Sequence, residues 1–260
     1  MTKDFLWLNM RELPYFRGTL RAVEGRLVSR VALPEPIIDL GCGDGHFASV
    51  TYTQKLSVGL DPSLKAMREA QKRGAYRLLI HANGGSIPFA DGAFSSALSN
   101  SVLEHIPNLE DVLQEIGRVL KPGAPFVFTV PNPGYRSMLS VPNVLRGVGL
   151  KPLASAYEDW FMWMSRTINL FYEEEWIAQL ERAEFQVEET FRYFSPSALR
   201  ALEWGHYFGV PCVLARWTTG RWILSPTRWN LWLTEKAMRR YYEESPSDDG
   251  TYSFYLARRR

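Results

Sequence analysis

A short apolar run followed by three alternating glycines constrains the fold of this chain more than any other feature. Residues 36–40 have the length of a buried strand, and Gly41, Gly43 and Gly45 follow at once. Glycine adopts backbone conformations that other residues avoid, so we predict a sharp turn that leads into a helix. The turn leaves room for a ligand against free backbone N–H groups. The same turn can also serve only to pack a strand against a helix, so the surrounding sequence must decide.

Strands and helices alternate regularly through the first half of the chain. Apolar runs predict strands at residues 36–40, 56–60, 77–80, 96–99 and 126–130. Apolar spacing and capping signals predict helices at residues 45–53, 64–73 and 109–120. This alternation predicts a parallel sheet with helices on both faces, where ligands bind beyond the carboxyl ends of the strands. Gly41, Asp61, Asn83 and Asn100 stand at those ends, and we expect them to meet in one crevice.

The second half of the chain is less regular. Residues 131–170 are predicted to form an insertion, and residues 204–242 a second, irregular stretch. Regular structure is predicted here as helices at 157–164 and 173–183 and as strands at 185–191 and 252–257. One or two helices are predicted within residues 5–30, over the mouth of the crevice.

Composition narrows the class of protein. A net charge of +2 provides no general field for a nucleic-acid backbone, which disfavours DNA or RNA as a partner. Cys42 and Cys212 lie far apart with no CxxC spacing, so we expect a reducing, cytoplasmic location. The N-terminus lacks the pattern of a signal peptide, and no apolar run of about 18 residues predicts a membrane span.

Several segments together resemble the class I S-adenosylmethionine-dependent methyltransferases, in the group that includes quinone-biosynthesis and other small-molecule enzymes. The segments are DLGCGDG at 39–45, GLD at 59–61, IPF at 87–89 with Phe94, LEHI at 103–106 and LKPG at 120–123. The likeness runs from about 37 to 132 and again from 171 to 193. It implies an α/β fold, a three-layer α/β/α sandwich around a Rossmann-like, mostly parallel seven-stranded sheet whose last strand is antiparallel.

The resemblance implies a single methyltransferase domain over residues 1–260. Its predicted parts are an N-terminal helical cap (1–30), a cofactor-binding half (31–133), a lid insertion (134–170), a return to the core (171–195), a tryptophan-rich insertion (196–245) and a closing strand (246–260).

S-adenosylmethionine is the cofactor that the resemblance implies. Asp39 would accept a hydrogen bond from its ammonium group, and Asp61 would accept both ribose hydroxyls. Asn83 stands where the family usually has Asp, and its amide oxygen would accept a bond from the adenine amine. The implied cofactor-binding set is Asp39, Gly41, Cys42, Gly43, Gly45, Asp61, Pro62, Asn83, Gly84, Asn100 and Ser101. No metal site is predicted.

Two other interpretations of the glycine turn remain open. A nicotinamide dinucleotide site uses similar glycines, but here the pattern is GxGxG rather than GxGxxG. A cationic sulfonium donor also favours acids such as Asp39 and Asp44, where a dinucleotide would place its pyrophosphate. The other alternative is a non-catalytic protein that keeps the pocket only to bind S-adenosylmethionine or to interact at a membrane surface.

His105 is the candidate catalytic base, because it follows the fourth strand near the expected position of the transferable methyl group. It serves equally well as a residue that caps or packs the next helix. Glu104 is interpreted mainly as structural, and Arg17 is a weaker candidate for pairing with the cofactor's carboxylate. His206, Tyr157, Glu158 and Asp159, in the insertions, are weaker candidates still.

Tryptophan and arginine alternate in residues 204–242. This segment holds five of the nine tryptophans and carries six basic residues against one acid. Such segments occur at membrane interfaces, in lids over apolar ligands and in ordinary buried caps. We predict that the two insertions close over a bulky, largely apolar small-molecule or lipid-like acceptor, drawn from a membrane surface. Stacking of single-stranded nucleic acid is the rival interpretation. The acceptor, the methylated atom and the oligomeric state are not predicted.

Overall fold

Seven strands form one sheet in the computed structural model, which describes residues 3–260; residues 1 and 2, where the predicted cap begins, lie outside the described part. The strands are β1 (Ile37–Leu40), β2 (Leu56–Asp61), β3 (Tyr76–His81), β4 (Ser96–Asn100), β5 (Pro125–Pro131), β6 (Phe185–Tyr193) and β7 (Tyr252–Arg259). Their order in the sheet is β3-β2-β1-β4-β5-β7-β6. Only β7 runs antiparallel to its neighbours, β5 and β6, so the predicted fold class is confirmed.

The strand order reverses between β1 and β4, and this reversal opens the crevice. Asp39 of β1 pairs with Gly59 of β2 on one side and with Leu98 of β4 on the other. The chain leaves β1 toward β2 and leaves β4 toward β5, so the loops after β1 and β4 diverge. Ligands in open α/β sheets bind at such a switch point.

Twelve helices pack on the sheet or cover its carboxyl edge within the described residues. They are α1 (Phe5–Met10), α2 (Tyr15–Val28), α3 (His46–Thr51), α4 (Leu64–Arg73), α5 (Leu109–Val119), α6 (Gly134–Ser137), α7 (Ser140–Gly147), α8 (Lys151–Ser165), α9 (Glu173–Arg182), α10 (Pro196–Phe208), α11 (Val210–Thr219) and α12 (Arg228–Glu243). A single turn of 3-10 helix, Leu103–His105, follows β4.

Each face of the sheet has its own apolar core. On one face, α5 and α9 bury Val112, Ile116 and Trp176 against β1 and β5. On the other face, α1, α2 and α10 supply buried residues such as Leu6 and Leu202. The apolar spacing of three and four residues in α5 explains why this helix could be predicted within one residue of its end.

The prediction of an irregular stretch at residues 204–242 is wrong. The structure places most of this segment in α10, α11 and α12. No residue of α11 is buried, so this helix has no core-facing stripe from which a helical period could be detected. Gly209, Pro211 and Gly220 further resemble loop punctuation.

Two helices, α1 and α2, lie within residues 5–30, where one or two were predicted, and α2 reaches the carboxyl end of β4. Helix α2 packs on α1, α10 and α12 and reaches the loop after β4 through Glu24. None of the helices described in residues 3–260 combines the length and the apolar character that crossing a bilayer requires.

Candidate active site

The three glycines after β1 share a left-handed backbone but differ in the space around them. All of them adopt positive φ angles, between 54° and 74°. A Cβ on Gly41 would overlap the side chain of Val102, and one on Gly45 would lie 3.1 Å from Cα of Ala70. A Cβ on Gly43 would meet nothing within 4 Å. Gly41 and Gly45 are therefore required by packing, whereas Gly43 faces open space beside the turn.

Asp61, at the end of β2, is fixed by the turns on both sides of it. Its Oδ2 accepts a hydrogen bond from the Gly43 N–H at 2.9 Å, and its Oδ1 accepts one from the Ser63 N–H at 2.8 Å. A carboxylate oxygen has a second lone pair, so both oxygens can still accept a ligand donor. The two N–H groups thus hold the carboxylate in one orientation, and each oxygen can still accept a hydrogen bond from a ligand.

A cavity of about 640 Å³ lies beside the glycine turn, and we call it the loop cavity. The predicted residues that line it are Gly41, Asp61, Pro62, Asn83, Gly84 and His105. Apolar walls come from Leu40, Leu60 and Val112. The structure therefore brings together residues from the ends of β1, β2 and β3, as the parallel alternation predicts.

Asn83 makes its own turn at the rim of the loop cavity. Its Oδ1 accepts a hydrogen bond from the Gly85 N–H at 3.1 Å. The amide oxygen keeps a second lone pair for the predicted adenine contact. Asp111, from the first turn of α5, also lines the cavity and was not predicted.

Asp39, Cys42, Gly43 and Gly45 line neither this cavity nor the one described below. The Tyr76 hydroxyl donates a hydrogen bond to Oδ2 of Asp39 at 2.6 Å. Burial raises the pKa of Asp39 to about 7, although the Tyr76 bond opposes the increase. Its contact with a cofactor ammonium stays a prediction.

Asn100 and Ser101, at the end of β4, were predicted to face the cofactor, but their side chains form hydrogen bonds with a buried carboxylate on α2. Glu24 is completely buried and accepts hydrogen bonds from Asn100 Nδ2 at 2.8 Å and from Ser101 Oγ at 2.7 Å. Arg21 donates to the same carboxylate at 2.7 Å. The Asn100 side chain also accepts a bond from the Thr129 hydroxyl at 3.0 Å. Asn100 lines neither cavity, so the structure does not bring its side chain to the predicted ligand position.

A second cavity, of about 710 Å³, lies beneath the cap and is called the cap cavity. It is lined from α2, from the loop after β4, from the end of α8 and from α10 and α11. Ser101 lines this cavity rather than the loop cavity. His105 lines both, so one side chain connects the two spaces.

His105 has a defined tautomer in this arrangement. Its Nδ1 lies 2.9 Å from the Arg166 carbonyl oxygen, to which only an N–H can donate. Nε2 of the neutral ring therefore carries the free lone pair, 3.7 Å from Oε1 of Glu104. Burial lowers the pKa of His105, and the charges of Arg21 and Arg166 lower it further.

Glu104 is a buried carboxyl group with an unused oxygen. Its side chain is almost fully buried at the wall of the cap cavity, and Oε2 has no hydrogen-bond partner among the described residues. Burial raises its pKa to about 8, against the opposing effect of Arg21. Sequence reasoning interpreted this residue mainly as structural, but its position and its perturbed pKa are typical of a functional site.

The weaker candidates lie in three different surroundings. Glu158 forms ion pairs with Arg136 and Arg146, and Asp159 pairs with Arg136, which accounts for both acids as supports of the lid insertion. His206 lines the cap cavity. The Tyr207 hydroxyl donates to the Tyr157 hydroxyl at 2.6 Å at the surface between α8 and α10.

Sequence reasoning missed the polar face of α2. Arg21 and Glu24 were not predicted as site residues, and Arg17 was only a weak candidate. The three stand at positions i, i+4 and i+7, which places them on one face of a helix. Because α2 also has apolar residues on its other sides, this spacing is the signal that could have marked a polar face turned inward.

The residues present fit S-adenosylmethionine, the cofactor that the resemblance implies. The open space over Gly43 gives an extended ligand a path along the backbone, because no side chain fills it. The loop cavity offers Asp61 and Asn83 as acceptors between apolar walls, which suits a nucleoside. These residues would hold the adenosine part of the cofactor.

Comparison with known proteins agrees with this geometry. Residues 38–128 match a family model described as a methyltransferase domain. A malonyl-[acyl-carrier protein] O-methyltransferase of Legionella pneumophila is 33% identical over 106 residues, which cover 38% of this chain and 37% of that protein. The chain spans about a third to a half of the length of the curated relatives that it matches.

Two solved structures have the same fold over most of both chains. An S-adenosylmethionine-dependent methyltransferase of Thermotoga maritima is 17% identical, with a TM-score of 0.56 and coverage of 94% of this chain and 91% of that one. Geranyl diphosphate C-methyltransferase of Streptomyces coelicolor is also 17% identical, with a TM-score of 0.55 and coverage of 95% and 82%. At this identity the likeness concerns the fold.

The matched segment contains β1 to β4 and the glycine turn, so the family match and the loop cavity rest on the same residues. The Streptomyces coelicolor structure contains S-adenosyl-L-homocysteine, the demethylated product of S-adenosylmethionine, which agrees with the cofactor predicted from the sequence. Residues 38–128 therefore form a methyltransferase domain of the kind that the family model describes, and the fold of the chain is similar to that of solved S-adenosylmethionine-dependent methyltransferases.

Proposed function

We propose that this protein transfers the methyl group of S-adenosylmethionine to a bulky, largely apolar acceptor bound in the cap cavity. The observation that carries the proposal is the position of His105, which lines both the loop cavity and the cap cavity. A methyl donor in one space and an acceptor in the other would meet beside this side chain. The arrangement suits a reaction that depends mainly on alignment.

The cap cavity has walls suited to an apolar acceptor. Its apolar lining comes from four helices and the segment that follows α11, and includes Phe16, Leu20, Met164, Leu202, Val213 and Trp222. The Legionella relative is named for methylation of a malonyl group on acyl carrier protein. Because the shared segment is about a third of each chain, the acceptor class here is argued from the cavity itself.

The chemistry needs little from the protein beyond alignment and a proton acceptor. When bound, S-adenosylmethionine supplies a methyl group on a sulfonium, which is already an activated leaving group. His105 would accept the proton of an acceptor hydroxyl or amine at Nε2, because Nδ1–H is committed to the Arg166 carbonyl. The lowered pKa of His105, caused first by burial, keeps this nitrogen unprotonated near neutral pH.

An exposed apolar surface adjoins the cap cavity and supports delivery of the acceptor from a membrane. We call it the α11 surface, defined by residues 210–233. Trp217 is 80% exposed and Trp229 is 88% exposed, with exposed Leu214 and Leu233 in the same segment. Arg216, Arg221 and Arg228 lie among them, so the complementary partner is a bilayer that contains anionic lipid.

A methyl-transfer screen tests the proposed activity. The purified protein would be incubated with S-adenosylmethionine and pooled extracts of lipids, quinones and glycosides, and products would be sought by mass spectrometry as a gain of about 14 Da. We expect an apolar product whose formation falls roughly a hundredfold or more in His105→Gln, the loss typical of a removed general base. Donor binding without any methylated product from these pools would contradict the proposal.

Liposome flotation tests the membrane part separately. Leu214→Ser, on α11, and Leu64→Ser, on α4, form a matched pair because these leucines are 56% and 54% exposed. Leu214→Ser and Trp217→Ser should reduce flotation with anionic vesicles, whereas Leu64→Ser should leave it unchanged. Equal flotation of all three variants, or none by the unmodified protein, would refute a membrane role for the α11 surface.

A further inference from the structure

The cap cavity contains more positive charge than its acids compensate. Three arginines line it, Arg17, Arg21 and Arg166, against the single carboxyl group of Glu104. Arg21 is paired with Glu24 at 2.7 Å. Neither Arg17 nor Arg166 has a carboxylate partner within ion-pair distance in the part of the chain that the structure describes. Two guanidinium groups without a carboxylate partner thus line a cavity that also has apolar walls.

The pKa shifts of the groups around the cap cavity agree with an excess of positive charge there. Burial lowers the pKa of Arg17, and the charge of Arg21 lowers it further, while Asp44 acts in the opposite direction without forming an ion pair. Burial also lowers the pKa of His206, and the charge of Arg17 lowers it further. Glu104 does not neutralise the arginines at pH 7, because burial raises its pKa to about 8 and keeps it mainly protonated.

Trp222 connects the charged end of the cavity to the apolar surface. The Arg17 guanidinium lies 5.9 Å from the Trp222 ring centroid, as a cation–π contact. Trp222 and Val213 line the cavity and also belong to the α11 surface. The Arg17 guanidinium thus lies where the α11 surface meets the cavity, and Arg166 is likewise an exposed residue at the cavity wall.

We propose that the acceptor is an amphiphile with an anionic group, a carboxylate or a phosphate, which Arg17 and Arg166 hold while the apolar body lies along Leu20, Leu202 and Val213. This inference rests on the proposed function and specifies its substrate class. Guanidinium groups recognise both anions through paired N–H donors, so the two sources share one chemistry. The sequence alternative, in which Arg17 pairs with the cofactor's own carboxylate, is a competing outcome.

Binding of simple amphiphiles to the full chain tests the proposal without turnover. Decanoate, decyl phosphate, decanol and decyltrimethylammonium would be titrated below their aggregation limits, with S-adenosylhomocysteine present at saturation. Decanoate or decyl phosphate should bind at least tenfold more tightly than decanol, and the better of the two identifies the anion. Equal binding of decanol, or tighter binding of decyltrimethylammonium, overturns the inference.

Charge-removing variants locate the anion. Arg17→Gln and Arg166→Gln should each weaken binding of the preferred anion roughly tenfold to a hundredfold and leave decanol binding unchanged. Arg166→Lys should restore part of the loss. Arg200→Gln is the matched control, because Arg200 is an exposed arginine at a different cavity, lined with Trp204 and Val144. Unchanged anion binding in both glutamine variants overturns the inference.

Binding of the cofactor product separates the remaining outcomes. S-adenosylhomocysteine contains a carboxylate and methylthioadenosine does not. If Arg17→Gln weakens only S-adenosylhomocysteine and leaves the decyl anions unaffected, Arg17 serves the cofactor and the inference is overturned. If the unmodified protein binds no S-adenosylhomocysteine, the proposed function fails, whereas retained binding without anion preference refutes only the substrate class.

Discussion

Replacing Glu24 with glutamine should destabilise the protein strongly, because this carboxylate organises the contact between the cap and the sheet. Glu24 is completely buried and accepts hydrogen bonds from Arg21, Asn100 and Ser101 at 2.7–2.8 Å. Glutamine has the same shape but replaces one acceptor oxygen with a donor. The variant would leave the Arg21 guanidinium without its anion and would set one amide group against other donors.

The expected loss can be placed between two limits. Removing one partner of a buried ion pair costs about 3–5 kcal/mol of unfolding free energy. Arg21 keeps 24% of its side-chain surface exposed, so the lower part of that range, about 3 kcal/mol, is expected here. For a chain of this size each kcal/mol lowers the melting temperature by about 2–4 °C, which gives a decrease of roughly 10 °C.

Urea unfolding followed by circular dichroism and by tryptophan fluorescence would measure this loss. Glu69→Gln is the control, since Glu69 forms an exposed pair with Lys72 at 3.4 Å that should contribute less than about 1 kcal/mol. A Glu24→Gln variant within 1 kcal/mol of the unmodified protein, or no less stable than Glu69→Gln, would refute the assignment of Glu24 as the buried link between α2 and β4.

Three further predictions concern the turn and the acid–base pair. Gly41→Ala should lose roughly 2–4 kcal/mol of stability, because the backbone there is left-handed and the new Cβ would overlap Val102. Gly43→Ala should lose only about 1–2 kcal/mol, because no atom lies near its Cβ, but it should weaken S-adenosylhomocysteine binding in calorimetry. Burial raises the pKa of Glu104 from 4.5 to about 8, so between these pH values the folded state keeps a proton that the unfolded state loses. The free energy of unfolding should therefore decrease by up to about 1.4 kcal/mol for each unit that the pH rises over this interval, and Glu104→Gln should flatten this slope. For an acceptor that loses a proton, turnover should rise with pH through an apparent pKa below the ordinary histidine value of about 6.5, and His105→Gln should abolish that rise. A stable Gly41→Ala, parallel pH slopes in Glu104→Gln or an unchanged pH profile in His105→Gln would contradict the respective prediction.

The first half of the fold could be predicted from sequence because its signals are local. The apolar spacing of α5 and the glycines after β1 each encode one element and its end. Helix α4 was predicted with its observed bounds, since Ser63 accepts from the Ala66 N–H at its start and Gly74 adopts φ 65° at its end. Capping and periodicity act over a few residues, so one sequence suffices to show them.

The helices of the cap could not be predicted in the same way, because their residues either contact residues that are distant in sequence or have no contact with the core. Helix α11 has apolar residues without a buried face, so its pattern has no helical period relative to a core. Glu24 and Asn100 are 76 residues apart, and nothing local to either shows that they form a hydrogen bond. Asn100 was therefore predicted to face the cofactor, although Glu24 and Thr129 occupy its side chain.

The donor-side residues were easier to predict than the acceptor-side residues for a related reason. Asp61 and Asn83 follow strands of a parallel sheet, and topology alone brings strand ends together. Arg21 and Arg166 reach the cap cavity from a helix and from the end of the lid insertion, whose packing depends on tertiary contacts. The acceptor site thus became visible only in the folded chain.

Calorimetric titration of the unmodified protein and of Asp61→Asn with S-adenosylhomocysteine tests the central claim most directly. Asp61 holds the Gly43 N–H and Ser63 N–H and faces the loop cavity, so the isosteric amide removes the charge-assisted bonds while keeping the shape. We predict binding of one molecule per chain and a loss of at least tenfold in the variant. An unmodified protein that binds no S-adenosylhomocysteine, or equal affinity in both proteins, would contradict the account of the loop cavity as the cofactor site.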